Sequence, residues 1–479
     1  MPIPPHDLAD IQGLVKSGYG PLTEALSLLL RVKDAEAARA WLGGFHPTTM
    51  ADLSAGKRIP AARHLALTAP GLSALGLADA VLEGFSPEFV GGMSADRARS
   101  RRLGDVGPNA PEAWAWGRAG EEPHALLMLF ALPGRLPTLK AEVLTPAISA
   151  AFEITELPTA PLDGREPFGF VDGLSQPRVD WAGTRQPDTS EDLDYGNLIS
   201  SGEFVLGYPN EYGLATRTPR LDPTGAPGLP RAADNPDKAD LGRNGTYLVF
   251  RQLHQDVDGF WRFVDANGGL PLAEAMVGRR KDGRPLVATG QRPIRGVGPE
   301  PADVAANGFD FESDGEGLAC PLTGHVRRAN PRTGDQPGGN LGPIRTLAGM
   351  LGFGIERQPD TIASSRFHRL LRRGRKYGAG ADTGLHFICL GASIARQFEF
   401  VQGAWLASAK FGGLTGEQDP LLGARQPFPE GHPTDGFRWP QADGPCRAFD
   451  GLPQFVTVRG GAYFFLPGVR ALRYLASLS

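Results

Sequence analysis

Short apolar runs that resemble strands recur along the chain, and several of them lead into helix-like stretches. Residues 124–132 form a continuous apolar run of strand length, and a helix-patterned stretch follows Pro133-Gly134 and continues to Phe152. Residues 245–253 are rich in β-forming side chains and lead into a helix-like stretch that ends near Val264. The pattern predicts an α+β fold, with strands and helices packed as layers.

The same reading predicts further elements at both ends of the chain. Residues 384–390 form another strand-like run before a helical pattern at 395–407, so the two halves repeat one arrangement. The remaining predictions are a strand-like start at 11–15, helices at 22–30 and 35–42, and a closing strand pair at 455–458 and 462–465 joined by residues 459–461.

The length and the turn-forming residues suggest how the chain divides. With 479 residues the chain is too long for one ordinary core, and its 64 Gly and 43 Pro predict long loops. Residues 184–240 are rich in Pro, Asp, Gly and Asn and show no sustained period, which indicates a long loop. We therefore predict an N-terminal domain at 1–195, a linker at 196–240 and a C-terminal domain at 241–479.

Charge and cysteine content exclude several classes of protein. Lys and Arg total 49 against 53 for Asp and Glu, and no long basic block suggests binding to nucleic acid or to a lipid surface. Three cysteines are too few for a disulfide framework or a cysteine-rich metal site, and no CxxCH motif for covalent haem attachment is present. The start of the chain shows no signal-peptide pattern, and no stretch of the sequence is an apolar run of membrane-spanning length. The sequence therefore predicts a cytoplasmic protein without membrane contact.

Asp172 is the first candidate for chemistry. It lies in the segment EPFGFVDG, residues 166–173. An Asp between an apolar residue and Gly is also typical of an Asx-turn or a helix cap. The segment alone leaves both interpretations open.

His325 is the second candidate, in the segment CPLTGHVRRANPR at residues 320–332. A single His is usually a hydrogen-bonded structural residue. The arginines that follow it would suit an anionic cofactor such as a porphyrin with its propionates. The alternative is a solvated Arg-rich turn.

Arg372 is the third candidate, in the basic segment 366–378 around Leu370 and Leu371. A basic exposed helix that ends at Gly374 is the alternative interpretation.

Taken together, these segments resemble the dye-decolourising (DyP-type) haem peroxidases, and the spacing resembles the larger, loop-rich bacterial subgroup. The resemblance runs in order along the chain through DLADIQGLVKSGYG, GFVDG, NGTYLVFRQLHQDVDGFW, CPLTGHVRRANPR, FHRLLRRGRKYG, GLHFICLGASIARQFEFVQGAW and FVTVRGGAYFFLPG. It implies a pair of ferredoxin-like α+β domains with antiparallel sheets, of the dimeric α+β barrel-like superfamily. The second domain would hold most of one non-covalent haem b.

The resemblance also implies roles for individual residues. His325 would be the proximal iron ligand, with Asp172 and Arg372 on the opposite face of the haem. Arg332 would meet a haem propionate, and Leu385 and Phe387 would line the distal side. The family's Pro after the distal arginine is Lys376 here, which is a departure from its motif.

These residue types suit a peroxidase. A carboxylate can move a proton from the near to the far oxygen of hydrogen peroxide, and an arginine can stabilise the negative charge that develops. Bulky reductants such as dyes and phenolics would need an electron relay through surface aromatics, for which Trp261, Trp405, Trp439 and Tyr377 are candidates.

Three rival functions remain at this point. A haem carrier, store or sensor would bind the cofactor with little turnover, although it would need neither distal group. Another haem-dependent oxidation, such as sulfoxidation, would use the same residues. A structural protein without haem is the third. The sequence leaves the oligomeric state open.

Overall fold

The computed structural model describes residues 2–54, 58–185, 195–291, 293–334, 364–425 and 433–478. Its strands are β1 Glu24–Val32, β2 Ala61–Leu67, β3 Ala125–Ala131, β4 Phe152–Pro158, β5 Arg178–Asp180, β6 Leu198–Ser200, β7 Arg220–Leu221, β8 Ala239–Asp240, β9 Thr246–Gln255, β10 Leu371–Arg372, β11 Arg375–Ala379, β12 Asp382–Gly391, β13 Phe437–Trp439, β14 Arg447–Phe449 and β15 Val456–Leu466. Its α-helices are α1 Ala35–Gly43, α2 Met50–Ser54, α3 Ala69–Ala74, α4 Asp79–Leu82, α5 Pro87–Gly91, α6 Arg97–Leu103, α7 Leu136–Val143, α8 Pro146–Ala151, α9 Val257–Asn267, α10 Leu270–Val277, α11 Pro301–Asn307, α12 His325–Ala329 and α13 Val469–Ala476.

Two antiparallel half-sheets with the same strand order form the central sheet. The N-terminal half runs β4-β1-β3-β2, which is the order fourth, first, third, second. The C-terminal half runs β15-β9-β12-β10, with β11 also paired to β12, and repeats that order if β10 and β11 count as one strand. The halves meet where Phe465 of β15 pairs with Leu67 of β2. This arrangement confirms the predicted α+β fold with two ferredoxin-like halves.

Each face of the sheet carries its own apolar core. Helices α1, α8, α9 and α13 contribute to the core on one face, while the chain's first turns and residues 199–208 cover the other. Because side chains alternate across a strand, Leu385, Phe387 and Cys389 of β12 face the first core, whereas Ile388 and Leu390 face the second. The predicted site residues of β12 therefore lie on the helix-covered side.

Several predicted elements are confirmed, with bounds that shift by a few residues. The runs at 124–132, 245–253 and 384–390 are strands β3, β9 and β12. Helix α1 begins where predicted, since the Asp34 side chain caps it by accepting a hydrogen bond from the backbone N–H of Ala37 at 2.9 Å.

Three predicted elements are wrong. Residues 24–30 of the helix predicted at 22–30 lie in strand β1. The prediction failed because the period of an apolar run that is buried on both sides does not distinguish a strand from a helix. The start at 11–15 contains a 3-10 turn, Gly13–Val15, instead of a strand. The predicted hairpin at 455–465 is the single strand β15, whose register shifts between Val458 and Gly460 as at a β-bulge.

The stretch at 395–407 is helical, but its two segments, Ala395–Glu399 and Val401–Leu406, are π-helical. π-Helical turns are uncommon and often occur at functional sites. Both segments lie next to the cavity described below.

The predicted linker contains only short elements, including β6, β7 and β8. Four of its side chains, Phe204, Val205, Leu206 and Tyr208, have no accessible surface, so this part of the loop packs into the protein. Residues 186–194, next to the predicted boundary at 195, lie outside the described residues, and the boundary stays a prediction. No helix in the described part of the chain is long and apolar enough to cross a lipid bilayer.

Candidate active site

A cavity of about 270 Å³ brings together residues from distant parts of the chain. His325, Asp172, Arg372, Leu385 and Phe387, all predicted from the sequence, line it. Its other apolar walls come from β9, β15 and the π-helical segments, and include Leu253, Val456, Val458, Phe398, Val401 and Trp405. The volume is close to the lower end of the range for small-molecule sites, which begins at roughly 300 Å³.

His325 is the first residue of α12, and its ring is fixed by a buried carboxylate. The Nδ1 atom lies 2.9 Å from Oδ2 of Asp419, whose side chain is fully buried. Since an ionised carboxylate can only accept a hydrogen bond, Nδ1 is the nitrogen that carries the proton, and its N–H donates the hydrogen bond to Asp419. The lone pair of Nε2 is therefore left available, and the His325 side chain retains 26% of its accessible surface.

Asp419 is itself held in place by backbone groups. Its Oδ1 atom accepts from the backbone N–H groups of Leu421 at 2.9 Å and Leu422 at 2.8 Å. Arg328 of α12, also fully buried, donates to the carbonyl oxygens of Trp405 and Glu417 and so ties α12 to the loop that carries Asp419. The orientation of His325 follows from these contacts.

The electrostatics of the pair agree with this geometry. Burial by itself would lower the pKa of His325, but the Asp419 carboxylate outweighs burial and the pKa is raised. Burial would raise the pKa of Asp419, yet the interactions with His325, the N–H of Leu422 and Arg328 bring it below its usual value. An ionised Asp419 makes the His325 imidazole a stronger electron donor.

Asp172 and Arg372 form an ion pair in the same cavity. Arg372 Nη1 lies 3.6 Å from Asp172 Oδ1, and both side chains are about one-third exposed. Gln176, four residues after Asp172, accepts from the backbone N–H of Arg372 at 3.0 Å and so links strand β10 to the loop. Asp172 Oδ1 also accepts from the N–H of Gly173, whereas Oδ2 has no hydrogen-bond partner among the described residues.

Leu385 and Phe387 lie two residues apart on β12 and share one face of the sheet. Both line the cavity. Arg372 of β10 pairs with Cys389 of β12, the strand that also carries Leu385 and Phe387. This pairing brings the arginine beside these two apolar side chains.

Arg332 lies elsewhere. Its side chain is 2% exposed, and Nη1 donates to the carbonyl oxygens of Asn307 and Phe309 while the guanidinium stacks 3.6 Å from the Phe309 ring centre. It is not among the described residues that line the cavity. Besides Arg372, three other arginines line it. Arg251 pairs with Asp105, whereas Arg279 and Arg369 pair with no carboxylate in the ranges that the structure covers.

The arginines directly after His325 have structural contacts, contrary to the sequence argument that placed them beside an anionic cofactor. Arg327 donates to Asp314 and to the carbonyl oxygen of Cys320, and Arg328 makes the backbone contacts given above. The basic segment 366–378 does not form the alternative helix that ends at Gly374, because only its first three residues lie in a 3-10 helix, Ser364–His368, and the rest contains strands β10 and β11.

None of the four aromatic side chains predicted as surface relays is exposed. Trp405 and Tyr377 are each 6% exposed, and Trp261 and Trp439 are half-buried. Trp405 lines the cavity, so it is an internal side chain of the site.

Sequence reasoning missed Asp419, Glu166, Arg279 and Arg369, all of which contribute to this site. Asp419 lies 94 residues after His325, and nothing in its neighbourhood marks it as a partner. A role for Glu166 in the site could have been suspected from its position six residues before Asp172, in the segment EPFGFVDG. Its half-buried carboxyl lines the cavity, and burial raises its pKa.

Comparison with known proteins finds peroxidases among the relatives of this chain. No family model matches the chain. The multifunctional dye peroxidase DyP2 of Amycolatopsis sp. is 29% identical over 502 residues, which cover 94% of this chain and 91% of that protein. The dye-decolorizing peroxidase msp1 of Mycetinis scorodonius is 27% identical, with 98% of this chain and 88% of that protein covered.

Solved structures show the same fold. A DyP-type peroxidase from Anabaena sp. superposes with a TM-score of 0.70 at 20% identity, over 99% of this chain and 95% of that one. A fungal DyP-type peroxidase from Auricularia auricula-judae gives a TM-score of 0.70 at 22% identity, over 98% and 99% of the two chains. Together with the sequence relatives they confirm the predicted family resemblance, while the bacterial subgroup stays a prediction.

Proposed function

We propose, from the premise that the chain belongs to the family of DyP-type peroxidases, that it is an oxidoreductase that reduces hydrogen peroxide while oxidising organic substrates such as dyes and phenolics. The observation that carries the proposal is one cavity that holds both the Asp419-bound His325 and the Asp172–Arg372 pair. A haem carrier or sensor would need the histidine but not the ion pair.

The residues present fit a haem b bound without a covalent link. No group of three or more His, Cys, Asp or Glu side chains within the described ranges could hold a metal ion. A metal at His325 would therefore need its other ligands from a cofactor, and a porphyrin supplies four nitrogens and an apolar surface that matches the cavity walls. Arg279 and Arg369 are the cations available for the propionates, and Nη2 of Arg279 is buried with no hydrogen-bond partner. We assign the propionate role to these two residues instead of Arg332.

When bound, haem supplies the redox-active iron on which peroxide reacts. His325 would hold that iron through Nε2, because Asp419 fixes the proton on Nδ1. One haem would bind in each chain, at His325.

Asp172 and Arg372 would act on the peroxide itself. Since Asp172 Oδ1 already faces Arg372 and Gly173, Oδ2 is the oxygen that we assign to accept a proton from the near peroxide oxygen and return it to the far one. The Arg372 guanidinium stabilises the negative charge that develops on the departing oxygen. Leu385 and Phe387, which line the same cavity, would limit the water around Asp172 and Arg372.

The test is a comparison of haem binding and peroxide-dependent dye oxidation. We expect His325→Ala to lose or weaken haem binding, measured by the Soret band, and Asp172→Asn and Arg372→Leu to bind haem but react with peroxide at least about 100-fold more slowly. Asp163→Asn is the control, because Asp163 lies on the same loop but is exposed and contacts Lys376. Full activity in both distal variants would refute the mechanism, and absence of a Soret band in the wild type would refute the haem assignment.

A further inference from the structure

The carboxylate of Glu166 accepts three hydrogen bonds that hold the loop on which Asp172 lies. Its Oε1 atom accepts from the backbone N–H of Phe170 at 2.9 Å, and Oε2 accepts from that of Phe168 at 2.9 Å. A third donor, the side-chain amide of Gln255 at the end of β9, reaches Oε2 at 3.0 Å. One side chain thus joins the loop to the central sheet.

Backbone contacts close the same loop around Glu166. Its own N–H donates to the carbonyl oxygen of Phe170 at 3.0 Å, and the N–H of Gly169 donates back to its carbonyl oxygen at 2.8 Å. Gly169 has φ +94°, a conformation that favours glycine. The N–H of Asp172 then donates to Gly164 at 3.0 Å, so the position of Asp172 follows from how the loop closes.

Phe168 and Phe170 show what this closure does to the cavity. Both side chains are 3% exposed and belong to the main apolar core, and both line the cavity. Because Glu166 bonds the backbone of each, it fixes the two aromatic side chains on the wall as well as Asp172 two residues further on.

We propose that Glu166 is a positioning residue for the peroxide reaction, which acts by holding residues 168–172 so that Asp172 faces Arg372. This inference rests on the proposed function, because Asp172 is the group through which Glu166 acts. Glu166 itself needs no contact with substrate.

Replacement by glutamine tests the idea with little change in shape. A glutamine has one acceptor oxygen and one donor NH₂ group. If its oxygen faces Phe168, its NH₂ faces the N–H of Phe170, and in the reverse orientation the N–H of Phe168 loses its acceptor. Either way one loop amide faces a donor, even if Gln255 turns its own amide round.

Hydrogen exchange of the peptide that spans 166–173 is the first readout, and it needs neither peroxide nor dye. We expect Glu166→Gln to exchange about 10-fold faster or more in this peptide, because one loop N–H is left without an acceptor. Glu399→Gln is the matched control, because Glu399 is half-buried, accepts from Tyr463 and lies outside the cavity lining. Unchanged exchange in Glu166→Gln would overturn the proposal.

A double-mutant cycle is the second readout. We expect Glu166→Gln to slow the reaction of the haem-loaded protein with peroxide by about 10- to 100-fold, and the double variant with Asp172→Asn to react no more slowly than Asp172→Asn alone. A loss that multiplies in the double variant, or faster exchange with an unchanged peroxide rate, would overturn the positioning role. If the wild type fails to react with peroxide while the exchange result holds, the proposed function has failed and not the contact network.

Discussion

The hydrogen bond between His325 and Asp419 gives the sharpest prediction, and the perturbation is Asp419→Asn. The carboxylate uses Oδ2 for His325 and Oδ1 for two backbone N–H groups, those of Leu421 and Leu422. An asparagine can accept on only one side. If its oxygen serves the two backbone groups, its NH₂ group faces Nδ1 of His325, and the ring must move its proton to Nε2 to accept.

That change would put a proton on the nitrogen assigned to iron. A hydrogen bond to a charged partner contributes about 1.5–3 kcal/mol, which corresponds to about 10- to 150-fold in an equilibrium constant. The measured range for replacing residues that orient a metal-binding histidine is about 10- to 100-fold in metal affinity. We therefore expect haem affinity to fall by about 10- to 100-fold.

The assay is a haem titration of the apoprotein followed at the Soret band, with circular dichroism to show that the variant is folded. Asp240→Asn is the control, because Asp240 is also fully buried and bonds backbone N–H groups but lies outside the cavity lining. It should bind haem as the wild type does. A folded Asp419→Asn protein with wild-type haem affinity would refute the reasoning.

Two further predictions concern stability. Burial would raise the pKa of Asp7, but hydrogen bonds from Tyr208 and Arg243, among others, lower it, and Arg470 lies 2.6 Å away. A carboxylate whose pKa is lowered by folding stabilises the protein above its unfolded-state pKa, and this stabilisation is lost as the pH falls. Asp7→Asn should therefore cost about 3 kcal/mol at pH 7, and its difference in stability from the wild type, measured by urea titration, should shrink below about pH 4. Leu127 has no accessible surface in β3, so Leu127→Ala should cost about 2–5 kcal/mol by chemical denaturation, and a loss below about 1 kcal/mol would contradict its place in the core.

The sequence by itself determined the residue types of the site and the fold class. His325, Asp172 and Arg372 each lie in a short sequence motif. Strand β3 is a continuous apolar run of strand length, and β9 and β12 contain short strand-like runs. These features can be read from the sequence because the side-chain pattern of a single strand or motif depends on residues that are near one another in the chain.

Only the tertiary structure decided the contacts between distant segments. Asp419 pairs with His325 across 94 residues, and Gln255 reaches Glu166 across 89. Arg332 contacts the backbone carbonyls of Asn307 and Phe309 and the Phe309 ring, all more than 20 residues away in the chain, so no local pattern predicts these contacts. The same limit explains β1 and β15, since whether an apolar run is a helix or a buried strand, and whether a Gly-Gly step is a turn or a bulge, depends on what packs against it. At Gly460 that partner is Trp116, whose ring leaves no room for a Cβ atom.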